Sequence, residues 1–262
     1  MLVFAGISPH PPILIPTIGK KNLKKIKKTE EALEKMEENL YSTYPETIII
    51  ISPHGSLFND AFTINVCSEY STDLKEFGDL STTLKFKGDL EVGHHIRTTA
   101  KSEKIPAVMI NEEKMDHGSI VPLFYLTKHL PEIKIVQIGF SNLDNKTHFD
   151  FGRLIKEEIM KSQKRIAVIA SGDMSHALTT QSPAGFNSDG QKFDDKIKEL
   201  FMSKNLSGLA QIDKNMIKNA GECGFRSFLI LAGIIQQTNF TYHELSYEAP
   251  FGVGYLVAEF EL

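Results

Sequence analysis

The chain has no tryptophan, only two cysteines, no excess of basic residues and no long apolar run. Cys67 and Cys223 stand alone, without CxxC or zinc-ribbon spacing, which excludes a disulfide scaffold and fits a reducing, cytoplasmic compartment. The longest apolar stretch, Phe228 to Ile235, is far short of the ~20 residues needed to cross a bilayer. The N-terminus, MLVFAGISPHPPIL, is apolar but lacks a basic leader region and a small-residue cleavage site, so it does not read as a signal peptide. With 29 Lys+Arg against 33 Asp+Glu the formal charge is −4, which argues against a nucleic-acid partner. GxGxxG, GxxxxGK[ST], HExxH and GxSxG are all missing, so the commonest nucleotide, zinc-protease and serine-hydrolase chemistries have no local support.

What is present is an ordinary globular composition, 41% hydrophobic and 24% charged over 262 residues. At about 150 residues per domain the length admits one or two domains. No Pro/Gly/Ser linker, low-complexity tract or internal repeat divides it, so a single domain over residues 1–262 is expected. Strand-like runs fall at 2–8, 47–52, 61–66, 83–86, 107–110, 134–139, 166–171 and 252–260. Several, such as TIIIIS and IAVIAS, are apolar throughout, the pattern of strands buried on both faces. Helical patterns lie between them near 22–44, 90–104, 118–129, 147–162, 190–203 and 222–236. The alternation predicts an α/β fold, a central mixed and mostly parallel sheet with helices on both faces. The lysines at 20, 21, 24, 25, 27 and 28 precede a glutamate-rich stretch on the same amphipathic pattern, which reads as a solvated helix face rather than a binding patch.

Three of the nine histidines share one kind of position. His10 follows VFAGISP, His54 follows IIIISP, and His176 follows VIASGDMS. Each lies just past the C-terminal end of an apolar strand, where the ligand crevice of an open α/β sheet forms. The residue before proline is held extended, so the two Ser-Pro-His exits would project two imidazoles from one edge, suited to metal binding or acid/base work. A single histidine at a strand end is more often a hydrogen-bonding residue; the repeated tripeptide is what favours function. His117, in Asp116-His117-Gly118, is a fourth candidate at a helix start, with structural capping nearly as good an account. His94, His95, His129, His148 and His243 lack such context and read as surface or structural residues. For a carboxylate, Glu222 in Ala220-Gly221-Glu222-Cys223-Gly224 opens an apolar helical stretch, with Asp173, Glu248 and Asp116 as rivals. Two histidines and a carboxylate make a facial triad suited to Fe(II); a first-turn glutamate that complements the helix dipole is the plainer account.

Taken in order, FAGISPHPPIL, IIISPHGSLF, MDHGSIVPL, ASGDMSHAL and AGECGFRSFLILAG resemble the B subunit of class III extradiol ring-cleavage dioxygenases, the LigB-like family, from residue 5 to about 256. The chain is most similar to the branch associated with Memo-like, AMMECR-type and radical-SAM proteins. The resemblance implies a non-haem Fe(II) dioxygenase that opens a catecholic or related aromatic ring with dioxygen, with Zn(II) or another divalent metal as the alternative ion. It implies His10, His54 and Glu222 as metal ligands, His176 as catalytic base and His117 as hydrogen-bond partner of the oxygen or of developing charge. Memo-like relatives place a cysteine near the third metal position, and Cys223 adjoins Glu222; on helical spacing only one of the two faces the metal, and the carboxylate is the expected ligand. A second reading is a metal-binding accessory protein on the same fold with an AMMECR-type or radical-SAM partner. A third and weaker one is a zinc hydrolase. The expected partners are otherwise a small aromatic substrate, dioxygen and a second copy of the chain, with no nucleic acid and no membrane.

Overall fold

A computed structural model describes residues 1–262. Its strands are β1 Leu2–Ser8, β2 Thr47–Ser52, β3 Phe62–Asn65, β4 Glu69–Thr72, β5 Lys85–Gly88, β6 Ala107–Ile110, β7 Lys114–Met115, β8 Lys134–Gly139, β9 Ile166–Ser171, β10 Thr241–Glu248 and β11 Tyr255–Glu261. The helices are α1 Pro16–Gly19, α2 Lys27–Ser42, α3 Leu90–Ser102, α4 His117–Leu126, α5 Asn145–Lys161, α6 Ser188–Met202, α7 Leu206–Leu209, α8 Lys214–Ala220 and α9 Phe225–Ile235. The strands form one mixed sheet in the order β10-β11-β1-β9-β2-β8-β5-β4-β7, with β3 joining β8 to β6. Six of its pairings are parallel, β1·β9, β2·β9, β2·β8, β3·β6, β4·β7 and β5·β8. This is the α/β architecture expected from the alternation.

The continuous apolar runs now have a physical account. Successive strand residues point to opposite faces. Ile49, Ile51, Val168 and Ala170 pack in a core with α3, α5, α6 and α9, while Ile48, Ile50, Ala167 and Ile169 pack in a second core with α2 and α4. Each fully buried isoleucine contributes roughly 1.5–3 kcal/mol by leaving water, which is why both faces of these central strands are apolar.

Two differences from the sequence reading are instructive. The helix expected from residue 22 begins at Lys27, because Lys20–Ile26 wind as a 3₁₀ turn that ends at Ile26 with φ −119°. Beyond it Leu33, Met36 and Leu40 are buried and Lys27 pairs with Glu31 at 2.9 Å on the solvent face, as the amphipathic pattern required. Strand β10 was not expected, since TYHELSYE has no buried residue and its alternation carries polar groups on both faces. No helix is long and apolar enough to cross a membrane.

The register places the site. Ser8 of β1 lies opposite Ser171 of β9, Ile51 of β2 opposite Ala170 of β9, and Ser52 of β2 opposite Gly139 of β8. Four parallel strands therefore end level, and the segments that follow them leave from one edge.

Candidate metal centre

The two Ser-Pro-His exits bring His10 and His54 together, with their Nε2 atoms 3.0 Å apart and their rings edge to face. His10 is buried and His54 lies at the solvent-exposed mouth. Cys223, in the turn before α9, places its Sγ 3.5 Å from His10 Nε2. These three donor atoms lie within 4.8 Å of one another. Bonds of ~2.0–2.1 Å to imidazole nitrogen and ~2.3 Å to thiolate at tetrahedral angles would space such donors by about 3.3–3.6 Å, so the residues fit a single ion.

The electrostatics agree with the geometry. Ser171 Oγ donates to the Gly118 carbonyl, so toward His10 Nδ1, 2.8 Å away, it can only accept. The proton is thereby fixed on Nδ1 and the lone pair on Nε2, the atom facing His54 and Cys223. Burial and the neighbouring His54 lower the His10 pKa well below its usual value, and burial with His117 lowers that of His54 to about 4. Both rings are neutral donors at pH 7. Burial, with the Asp173 charge, pushes the Cys223 thiol well above its usual range, and a ligated cation is what would draw off its proton.

Asp173 and His176 form the second half of the cluster. Asp173 Oδ1 accepts the His10 backbone N–H at 2.9 Å, and its Oδ2 lies 3.9 Å from His176 Nε2. Burial raises the Asp173 carboxyl to about 7. His176 Nε2 is also 3.9 Å from Cys223 Sγ, and burial lowers its pKa. Asp173, His176 and Cys223 thus make a second group of metal-capable donors that shares Cys223 with the first. On the other side His117 stacks on His54 with centroids 4.3 Å apart. Asp116 caps α4 through Ser119 N–H and receives Ser52 Oγ–H and Gln137 Nε2–H, fixing the His117 backbone against β2.

The loops carrying these groups touch backbone to backbone. The Gly224 N–H donates to the Asp173 carbonyl at 3.0 Å, and the Asp173 N–H donates to Cys223 Sγ at 3.3 Å. A Cβ on Gly172 would stand 2.1 Å from Gly224 Cα, so this approach requires glycine.

Of the residues singled out from sequence, His10, His54, His117 and His176 share this cluster. Glu222 is not among its donor atoms. Its Oε2 accepts the Phe225 N–H at 2.6 Å, capping α9. Residues 221–224 precede that helix, and Gly221 is left-handed at φ +61°, so helical spacing does not decide which of Glu222 and Cys223 faces the histidines. Among the other histidines, His148 is fully buried, its Nδ1–H donating to the Asp144 carbonyl and its Nε2 accepting the Ser141 N–H, and His129 is held by Glu37, both structural roles. Asp173 was singled out in advance only as a rival carboxylate; its hold on the His10 backbone and the role of Ser171 were not legible, although both lie within ASGDMSH.

The comparisons with known proteins extend over most of the chain. The family model described as the catalytic LigB subunit of aromatic ring-opening dioxygenase matches residues 5–258. A protein of Clostridium acetobutylicum is 35% identical over 262 residues, 97% of this chain and 56% of its own length. The chain therefore spans little more than half of that relative. A MEMO1 family protein of Methanosarcina mazei is 24% identical over 199 residues, 73% of this chain and 64% of that protein. The 4,5-DOPA dioxygenase extradiol of Beta vulgaris is 25% identical over 170 residues, 63% of this chain and 60% of that protein. A crystal structure of an uncharacterized protein from Escherichia coli K12 superposes with a TM-score of 0.67 at 14% identity, covering 98% of this chain and 99% of that one, a likeness of fold.

Proposed function

The chain belongs to the family of catalytic LigB subunits of aromatic ring-opening dioxygenases, and on that premise we propose an Fe(II)-dependent extradiol-type oxidation of a catecholic ring by dioxygen. His10, His54 and Cys223 would hold the ion. The carrying observation is that these three donors converge within 4.8 Å beside His176. The ion, when bound, supplies a redox-active centre with coordination positions left for substrate and dioxygen. His176 is neutral at pH 7 because burial lowers its pKa, so it can accept a proton from a catechol hydroxyl. Asp173, beside it, stabilises the imidazolium that results. His117 presents its ring on the mouth side of His54 and is the available hydrogen-bond donor there.

Access is through a cavity of about 560 Å³ next to His54, lined by Lys75, Glu76, Glu112, Lys114 and Asp116. Its size is that of a small-molecule site, and its charged walls favour a ring bearing polar substituents over a bare hydrocarbon.

A second reading rests on Cys223. A thiolate is a softer donor than a carboxylate and suits Cu(I) or Zn(II) as well as Fe(II), which favours a metal-binding accessory role like that of a MEMO1-type protein, with an AMMECR-type or radical-SAM partner. Anaerobic purification with metal analysis, followed by a panel of catechols in air, separates the two. Iron at one equivalent and oxygen-dependent ring-opening supports the first. Copper or zinc with no turnover of any catechol overturns it in favour of the second.

A further inference from the structure

Glu222 and Cys223 are consecutive, yet they serve different spaces. Cys223 approaches the histidines, whereas Glu222 lines a separate cavity of about 530 Å³ bounded also by Asp144, Lys214, Lys218, Phe225 and Arg226, three cations against two carboxylates. Arg226 is half-buried and its guanidinium lies over the Phe140 ring, 5.4 Å from the centroid. That guanidinium makes no hydrogen bond and no ion pair with the rest of the chain. Lys214 and Lys218 are exposed and likewise unpaired.

Two lysines alone would be ordinary solvated charges. Arg226 differs, because its half-buried guanidinium lies over an aromatic ring and leaves its fork of donors, which match a carboxylate or phosphate, without a partner in the chain. The Phe225 N–H at the start of α9 is already taken by Glu222, so recognition here falls to side chains. Leu143, Ile217 and Phe225 add apolar wall, which a bare inorganic ion would leave unused.

We propose that this cavity is a second ligand site, distinct from the metal centre, for a small organic anion. The carboxylate or phosphate group lies on Arg226 and Lys218, and the apolar body lies against Leu143 and Ile217. The site stands on its own residues, whichever reading of the metal centre holds.

The test is calorimetric titration of the full chain at low salt with benzoate, phenyl phosphate and inorganic phosphate. The expected result is saturable binding of benzoate or phenyl phosphate in mutual competition, with inorganic phosphate weaker; the tighter of the two assigns the charged group. Arg226→Met and Lys218→Met should each raise Kd at least about tenfold, the loss of one charged hydrogen-bond partner, and His54→Ala should leave it unchanged. Lys218 is exposed, so its variant decides the matter if Arg226→Met fails to fold. The proposal is overturned if none of the three probes binds at millimolar concentration, if both cation variants bind like the unaltered chain, or if His54→Ala abolishes binding and so moves the anion to the histidine cluster.

Discussion

Ser171 sets the tautomer of His10. Its Oγ–H is committed to the Gly118 carbonyl, which leaves only a lone pair for the His10 Nδ1 proton at 2.8 Å. A hydroxyl on the last residue of β9 thereby decides, from beneath the site, which ring nitrogen is free to bind an ion.

Ser171→Ala should weaken metal binding about 10–100-fold while keeping all three donors, the usual effect of losing an outer partner of a ligating histidine. Competition with a chelator of known affinity measures it. An unchanged affinity would mean that the tautomer is fixed by something else.

Cys223→Ala should strip the ion, whereas Glu222→Gln should retain it, since the amide oxygen of glutamine can still accept the Phe225 N–H. Metal content of the two purified variants gives the answer. Retention by Cys223→Ala together with loss by Glu222→Gln would restore the carboxylate as third ligand, with a rearranged turn at residues 221–224.

His176→Ala should keep its metal and lose turnover of any catechol found to be a substrate, by on the order of 10²–10⁴-fold if the ring moves a proton. Metal analysis and kinetics are read on the same sample. A folded but metal-free variant would make His176 a ligand through the Asp173, His176 and Cys223 group instead.

Asp194 gives a pH dependence independent of the metal. It is fully buried, accepting the Ser175 N–H at 2.8 Å and the Tyr247 hydroxyl at 2.6 Å, and burial raises its pKa from 3.8 to about 6. The unfolded chain gives up this proton more readily, so its contribution is fullest below about pH 4 and declines as pH rises to about 6. Asp194→Asn removes the titration. Relative to the unaltered protein the variant should gain on the order of 3 kcal/mol between pH 4 and pH 7, read as the difference in denaturation free energy across that range. A difference that stays flat with pH would show that Asp194 is already ionised when buried.

The sequence was most legible where one local rule acts alone. Leu2–Ser8, Thr47–Ser52, Lys134–Gly139 and Ile166–Ser171 were expected at their observed bounds, because burial on both faces leaves a mostly apolar run, interrupted in Lys134–Gly139 only by Lys134 and Gln137. The approach of His10 to His54 was legible through their repeated tripeptide. Which of Glu222 and Cys223 turns toward them was not, because that depends on the non-helical turn from Gly221 to Gly224, where the 100° step between helical residues does not apply. The contacts of Ser171 and Asp173 with His10 were hidden for another reason. Their partners are 161 and 163 residues away along the chain, and no short-range pattern reports such a contact.

The glycine seam between residues 172 and 224 has a mechanical consequence. Where loops meet through side chains, rotamer changes let them drift; here the spine of one chain segment rests on the spine of another. The spacing between Asp173 and Cys223 is then as stiff as the main chain itself, and so is the bite that the sulfur can offer an ion. Selectivity among metals of different radius would reside partly in two residues that have no side chain and touch no metal.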